Sequence, residues 1–214
     1  AMDKLRSKQL FGAWGLVTPL GANNGAADEA PHIIEPLGQP LMVKPAPEGS
    51  TVGMARVELA ADLVPAWEAA RRFDSTVLVE AWVTGGEYSV PILQGTALPM
   101  VRIETPRVFY DYEAKYFADD TRYFCPAGLA PDAEAAYAEA ALTAFRAVGA
   151  SGWGRVDFLL PEDGQPRFLE VNTIPGMTSH SLVPMGAREA GIGFEDLAWR
   201  VLETSFAERE AGLG

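Results

Sequence analysis

Between residues 154 and 172 the chain runs Gly154-Arg155-Val156-Asp157-Phe158-Leu159-Leu160, passes Asp163-Gly164, and returns as Arg167-Phe168-Leu169-Glu170-Val171-Asn172. Two runs of alternating polar and apolar residues about an Asp-Gly step predict a β-hairpin. Centring the turn between Asp163 and Gly164 sets Asp157 opposite Glu170, Arg155 opposite Asn172 and Pro161 opposite Pro166. Strand side chains alternate with a period of two, so the four polar groups share one face while Val156, Phe158, Leu169 and Val171 share the other. Facing carboxylates repel unless a proton or a cation lies between them. Oxygen donors from Asp157, Glu170 and the Asn172 amide, with no Cys or His nearby, suit Mg²⁺ or Mn²⁺, whose shells are completed by water and nucleotide phosphates. Arg155 beside them would neutralise charge developing on a transferred phosphoryl group or an acyl phosphate. The same pattern also describes a plain solvated hairpin face.

Upstream, Leu5, Leu10, Phe11 and Trp14 fall at helical spacing, and Gly15 is a C-terminal stop. Residues 21–39 are rich in Gly, Ala, Asn and Pro and read as a connector of loops and short turns. Strands are expected at Leu41 to Lys44, up to Val57, from Thr76 to Val83, from Tyr88 to Gln94 and from Leu98 to Glu104. Helices are expected at 58–73, with Leu63, Trp67 and Ala70 on one face, at Asp132 to Val148, and at Phe194 to Ala211. The pattern is α+β with mostly antiparallel strands, and Gly85-Gly86 is the candidate hinge between two lobes.

Glu48-Gly49-Ser50-Thr51-Val52-Gly53 is neither a Walker loop nor a dinucleotide fingerprint. It could still hold phosphate through main-chain N–H groups and the Ser50 hydroxyl, and Lys44 four residues earlier favours that reading over a flexible turn. Glu80, in Val79-Glu80-Ala81-Trp82-Val83, and Glu87 are acceptors suited to an adenine amine and ribose hydroxyls, or are surface carboxylates. The aromatic and charged segment from Phe109 to Tyr116 suits a loop that closes over a ligand, or over a partner. His32 and His180 read as structural or surface residues, and Cys125 as inert packing, because nothing near it in sequence supplies a base.

The hydrophobic share, 48%, is enough for a real core in 214 residues. Seventeen basic against twenty-nine acidic residues give a net charge of −12, which argues against nonspecific nucleic-acid or anionic-lipid binding. A polyanionic ligand must therefore find a local basic pocket. A single cysteine forms no internal disulfide, no apolar run has the length of a membrane span, and no leader is visible, so a bacterial cytoplasmic location is expected.

In chain order these segments resemble the D-alanine:D-alanine ligases. The resemblance is carried by Met2-Asp3-Lys4 with Ser7-Lys8, Val43-Lys44-Pro45 with Glu48-Gly49-Ser50, Phe109 to Tyr116, Gly152-Trp153-Gly154-Arg155-Val156-Asp157, and Glu170-Val171-Asn172-Thr173 with Pro175-Gly176-Met177-Thr178-Ser179-His180-Ser181-Leu182-Val183-Pro184. It implies an ATP-grasp fold in which ATP is clasped between two α+β lobes, a central lobe over 1–86 and a C-terminal lobe over 87–214. It implies that Lys4 and Lys44 bind ATP phosphates, that Glu80, Trp82 and Val83 line the adenine site, and that Glu87 holds the ribose. Asp157, Glu170 and Asn172 would hold two Mg²⁺ (or Mn²⁺) ions, and Lys115 would reach the γ-phosphate. Ser50 and Tyr116 would belong to the network that closes the site, Arg155 and the Gly176 N–H would stabilise an oxyanion, and Ser181 with Leu182 would bind the second D-alanine's carboxylate.

The reaction so implied uses ATP to turn one D-alanine into an acyl phosphate, from which the amine of a second displaces phosphate, giving D-alanyl-D-alanine for peptidoglycan. Lys115-Tyr116 favours amide formation, because related ligases that make D-alanyl-D-lactate lack this pair. Departures include Thr51 where the family often has Ser, Ala81 where Lys is common, and a short 21–39 connector. The family's N-terminal domain, which helps to hold the first D-alanine, has no counterpart here, so Met2 is expected to be internal and a homodimer is the expected assembly. The rivals are another ATP-grasp carboxylate:amine ligase, and a nucleotide-binding fragment without activity of its own.

Overall fold

A computed structural model describes residues 3–23, 30–46, 53–105 and 121–211. The chain opens with helix α1 (Lys4–Ala13), whose first turn is capped by Asp3: its Oδ1 accepts the Arg6 N–H at 2.9 Å. There follow strand β1 (Gly21–Asn23), helix α2 (Ala30–Leu37), strands β2 (Leu41–Pro45) and β3 (Ala55–Val57), a 3-10 turn (Ala60–Asp62), helix α3 (Leu63–Arg71) and strand β4 (Val77–Ala81). These strands form one antiparallel sheet in the order β1-β4-β2-β3. Ile33 of α2 and Leu63, Trp67 and Ala70 of α3 close over Leu41, Val43, Val57, Val77 and Val79. The α3 face expected from helical spacing is the face that is buried.

Two expectations need correction here. The 21–39 stretch is not a bare connector. Gly-Ala-Asn has no apolar alternation, yet it forms an edge strand because its main chain pairs with β4, Gly21 against Glu80. In α2 the apolar group Ile33, Ile34 and Leu37 packs on the core, but eight residues hold too few turns for a period to stand out. Strand β4 also does not alternate: Val77, Leu78, Val79 and Glu80 are all buried, because helices cover one face and Lys8 and Lys44 meet Glu80.

The second sheet is built from β5 (Gly86–Leu93), β6 (Thr96–Ala97), β7 (Val101–Glu104), β8 (Arg122–Phe124), β9 (Trp153–Leu160) and β10 (Arg167–Asn172). Its order is β10-β9-β5-β7-β8, with β6 paired to β5, and every pairing is antiparallel. Helix α4 (Pro131–Ala147) covers one face, where Leu142, Ala144 and Phe145 meet Val90, Ile92, Val156, Phe158 and Val171. On the other face lie helices α5 (Leu182–Glu189) and α6 (Phe194–Ala211), with Val183, Ala187 and Leu197 packed on Leu93. The expected strand from Leu98 is split, since pairing restarts only at Val101. Neither the three-residue β8 nor α5, whose Pro184 and Gly186 weaken a helical signal, is apparent in the sequence. Gly186 has its use: a Cβ there would stand 2.7 Å from the Pro99 carbonyl and 2.8 Å from Pro91, so α5 lies directly on β5.

Helix α1 touches both sheets. Its Lys4 N–H donates to the Ala46 carbonyl at the end of β2 (3.1 Å), while Phe11 is fully buried against Phe168 of β10, with ring centroids 6.1 Å apart. Gly85, just before β5, leaves no room for a side chain: a Cβ there would stand 2.4 Å from the Leu160 carbonyl oxygen.

Candidate functional site

The β9–β10 hairpin forms in the expected register at its open end, with Asp157 opposite Glu170, Val156 opposite Val171 and Arg155 opposite Asn172. Nearer the turn it departs from expectation. A bulge between Phe168 and Glu170 sets Phe168 opposite Phe158 and Arg167 opposite Leu159. Phe168, not Leu169, therefore enters the core, and Pro161 and Pro166 lie outside both strands rather than opposite each other. The aromatic cluster accounts for the shift. Phe158 stacks on Tyr88 at 5.5 Å and meets Phe168 at 5.6 Å, a larger apolar contact than Leu169 would make from that position.

Strand parity places Ser89, Asp157, Arg155, Glu170 and Asn172 on the sheet face opposite α4, the face on which the start of α5 packs through Leu182 on Val101, the partner of Ser89. Asp157 is 7% exposed. Its Oδ1 accepts the fully buried Ser89 hydroxyl at 2.6 Å, and Arg155 Nε donates to both of its oxygens at 3.1 Å. Asn172 Oδ1 accepts the Ile174 N–H at 3.1 Å. Ionised carboxylates and amide carbonyls have more lone pairs than these bonds use, so an all-oxygen set of two carboxylates and one amide suits a hard divalent cation that keeps waters and phosphates. Among the described residues no group of three or more His, Cys, Asp and Glu side chains converges, so any set here consists of the two carboxylates and the Asn172 amide.

A second polar centre lies in the first sheet. Glu80 of β4, 3% exposed, is ion-paired through one carboxylate oxygen to Lys8 of α1 and through the other to Lys44 of β2. Lys8 Nζ also donates to the Pro19 carbonyl at 2.6 Å. Burial alone would raise the Glu80 carboxyl, but the Lys44 and Lys8 ammonium groups outweigh it and hold the group below the usual glutamate range. Burial pushes the Lys8 ammonium down, opposed by Glu80 and reinforced by Lys44. Lys4, also buried, is one turn before Lys8 on α1.

Beyond β4, the Trp82 N–H donates to the Pro40 carbonyl at 3.0 Å, and the Arg56 guanidinium lies 4.5 Å above the Trp82 ring. Val83 and Glu87 are half-buried, Glu87 lying between Ile103 and Leu159 in the sheet. At the start of α5, Ser181 Oγ accepts the Thr178 N–H at 3.0 Å and shares a 2.9 Å hydrogen bond with the Thr178 hydroxyl. A Cβ at Gly176 would come within 3.0 Å of that oxygen. The Leu182 side chain is buried with Val101 and Ile103, which leaves its main-chain N–H, in the first turn of α5, as the group able to meet an anion. Burial pushes the Cys125 thiol up to about 11, consistent with inert packing.

Ser50, Lys115 and Tyr116 lie outside the described residues, as do the rest of the Glu48-Gly49-Ser50 loop and the segment Phe109 to Tyr116. Sequence reasoning assigned no role to Ser89, Lys8 or Arg56. Ser89 was detectable in principle as the one small hydroxyl residue in the otherwise apolar run Ser89–Leu93 of β5, and Lys8 as the residue one helical turn from Lys4.

The sequence pattern of the family described as D-ala D-ala ligase C-terminus matches residues 12–203. A D-alanine–D-alanine ligase of Methylococcus capsulatus is 50% identical over 207 residues, covering 97% of this chain and 67% of that protein. Among solved structures, the VanG D-Ala:D-Ser ligase from Enterococcus faecalis superposes with a TM-score of 0.85 at 32% identity, covering 95% of this chain and 61% of the other. The D-alanine–D-alanine ligase from Bacillus anthracis complexed with ATP superposes with a TM-score of 0.83 at 30% identity, covering 99% and 68%. The chain thus spans about two thirds of the length of these relatives.

Proposed function

The chain belongs to the family described as D-ala D-ala ligase C-terminus, and on that premise we propose that it is the nucleotide-binding and metal-binding portion of an enzyme that joins two D-alanines at the expense of ATP. The product, D-alanyl-D-alanine, would serve peptidoglycan synthesis in the bacterial cytoplasm, and the assembly would be a homodimer. The observation that carries this reading is the pairing of Asp157 with Glu170 on a polar sheet face beside Arg155 and Asn172. The ATP-bound relative and the identity to a D-alanine ligase support the choice of substrates.

In this reading residues 1–86 and 87–214 are the two lobes of an ATP-grasp fold, with Gly85-Gly86 between them. Asp157, Glu170 and Asn172 hold two Mg²⁺ or Mn²⁺ ions, which when bound neutralise phosphate charge. Lys4 and Lys44 meet the phosphates and Lys115 the γ-phosphate, Glu80, Trp82 and Val83 line the adenine site, and Glu87 takes the ribose. Ser50 and Tyr116 close the site. The first D-alanine's carboxylate attacks the γ-phosphorus, the bond to the β,γ-bridging oxygen breaks and ADP leaves, giving an acyl phosphate. The second D-alanine's deprotonated amine then adds to the acyl carbon, and the oxyanion so formed collapses with loss of phosphate and of the remaining amine proton. Arg155 and the Gly176 N–H stabilise the oxyanion of that addition, while the Ser181 hydroxyl and the Leu182 N–H hold the second carboxylate.

Phosphate release from ATP on adding D-alanine tests the proposal, measured for this chain and for a version extended upstream to the full length of the relatives. Release by the extended protein with D-alanine as both substrates is the expected result. Release only when D-serine or D-lactate is the second substrate would refute the assignment to D-alanine, and release by neither protein with any of these acids would refute the ligase reading.

A further inference from the structure

The Glu80 carboxylate has two ammonium partners where charge balance needs one, and the two are held differently. Lys44 is held by Glu80 from within the same sheet, whereas Lys8 comes from α1 and is also fixed by the Pro19 carbonyl. We propose that Lys8 is a positioning residue of the nucleotide site, a standing counter-ion that stays on Glu80 so that Lys44 is free to turn to phosphate. This rests on the reading of Lys44 as a phosphate ligand.

A lone buried charge is costly. A carboxylate that is 3% exposed and loses its only partner is left uncompensated in a medium that solvates it poorly, which is strongly unfavourable. With Lys44 as sole partner, each ATP that drew Lys44 away would strand Glu80. With Lys8 in place, Glu80 keeps one ion pair throughout, and the surplus positive charge is the local basic site that a chain of net charge −12 must offer a polyanion. The lowered range of the Glu80 carboxyl agrees, since the group is anionic and needs a counter-ion in both states. Gly21 of β1 and Met42 of β2 flank Glu80 in the sheet, so neither neighbouring strand supplies a replacement cation at that level.

The test is equilibrium binding of ATP with Mg²⁺, and separately of adenosine, to the 214-residue chain. Adenosine has no phosphates, so the ratio of the two affinities isolates the phosphate contribution. Lys8→Met is expected to lower that ratio at least about tenfold while leaving adenosine affinity within a few-fold. Lys8→Arg should retain the ratio. Adding Glu80→Gln to Lys8→Met should restore it, because no carboxylate is then stranded, and a purely structural role for Lys8 would not produce that reversal. An unchanged ratio in Lys8→Met, or equal weakening of ATP and adenosine, overturns the proposal. Failure of Lys8→Met to fold, with the double variant also unfolded, would make Lys8 a fastener of α1 and likewise overturn it. If the unaltered chain binds adenosine without preferring ATP, the phosphate assignment of Lys44 falls first and this proposal with it.

Discussion

Ser89 shows how much a single hydroxyl can decide at the hairpin. Its bond to Asp157 Oδ1 fixes one oxygen of the carboxylate, and Arg155 fixes the pair from the other side. With Asp157 as the metal ligand proposed above, Ser89→Ala is expected to weaken Mn²⁺ binding, followed by electron paramagnetic resonance, by about tenfold, the lower range for loss of a hydrogen bond that orients such a ligand. Unchanged Mn²⁺ affinity would show that Asp157 is placed by Arg155 alone. Glu80 makes a prediction in pH. Its folded-state carboxyl titrates below the unfolded one, so the stability it contributes is fully present above the ordinary glutamate range and is lost as pH falls through the lowered folded value. Melting temperature followed down from pH 7 should therefore decline less steeply below about pH 4 in Glu80→Gln than in the parent chain, and parallel declines would contradict it.

At the scale of the element, the facing of Asp157 and Glu170 was legible from side-chain parity, whereas the turn is centred on Asp163 and not between Asp163 and Gly164, and the bulge restores the expected register only at the acids. The bulge at Leu169 was not legible, because nothing local tells Leu169 from Phe168 as an inward residue. That choice is made by Phe158, Tyr88 and Phe11, which come from three other elements. Phe168→Ala is accordingly expected to cost about 3–5 kcal/mol of unfolding free energy in urea, and Leu169→Ala less than about 1.5 kcal/mol. The reverse order would place the bulge elsewhere. Strand β1 and helix α2 escaped the sequence for the opposite reason: they are shorter than the window in which a period is visible, and they owe their form to β4 and the core beneath them. The ion pairs of Glu80 were hidden too, since Lys8, Lys44 and Glu80 are brought together only when a helix and two strands meet.

For the whole molecule, the two sheets have separate cores, and α1 with the segment after it meets both: the Lys4 N–H and the Leu20 carbonyl bond to the first sheet, Phe11 and the Val17 carbonyl to the second. Phe11 anchors the helix on the second sheet while Lys4 and Lys8 reach the first. Phe11→Ala is expected to lower ATP affinity several-fold as well as the melting temperature, although Phe11 packs on the second sheet, against Phe168, and is none of the nucleotide residues proposed above. A lower melting temperature with ATP affinity intact would mean that β2 and β4 seat the lysines without help from the second sheet.

The extra residue at Leu169 separates the hairpin into two stretches of different phase. On the site side, direction is locked by β5, where Asp157 lies against Ser89. On the turn side β9 stays paired to β5 as far as Leu160, and only the turn beyond it depends on lighter ties, the Tyr137 hydroxyl on the Gly164 carbonyl at 2.8 Å and the Arg167–Asp163 pair. A foreign peptide or a reporter inserted within residues 162–165 is therefore expected to leave the pairing of Asp157 with Ser89 and Glu170 in place, since both strands are anchored before the chain reaches that turn.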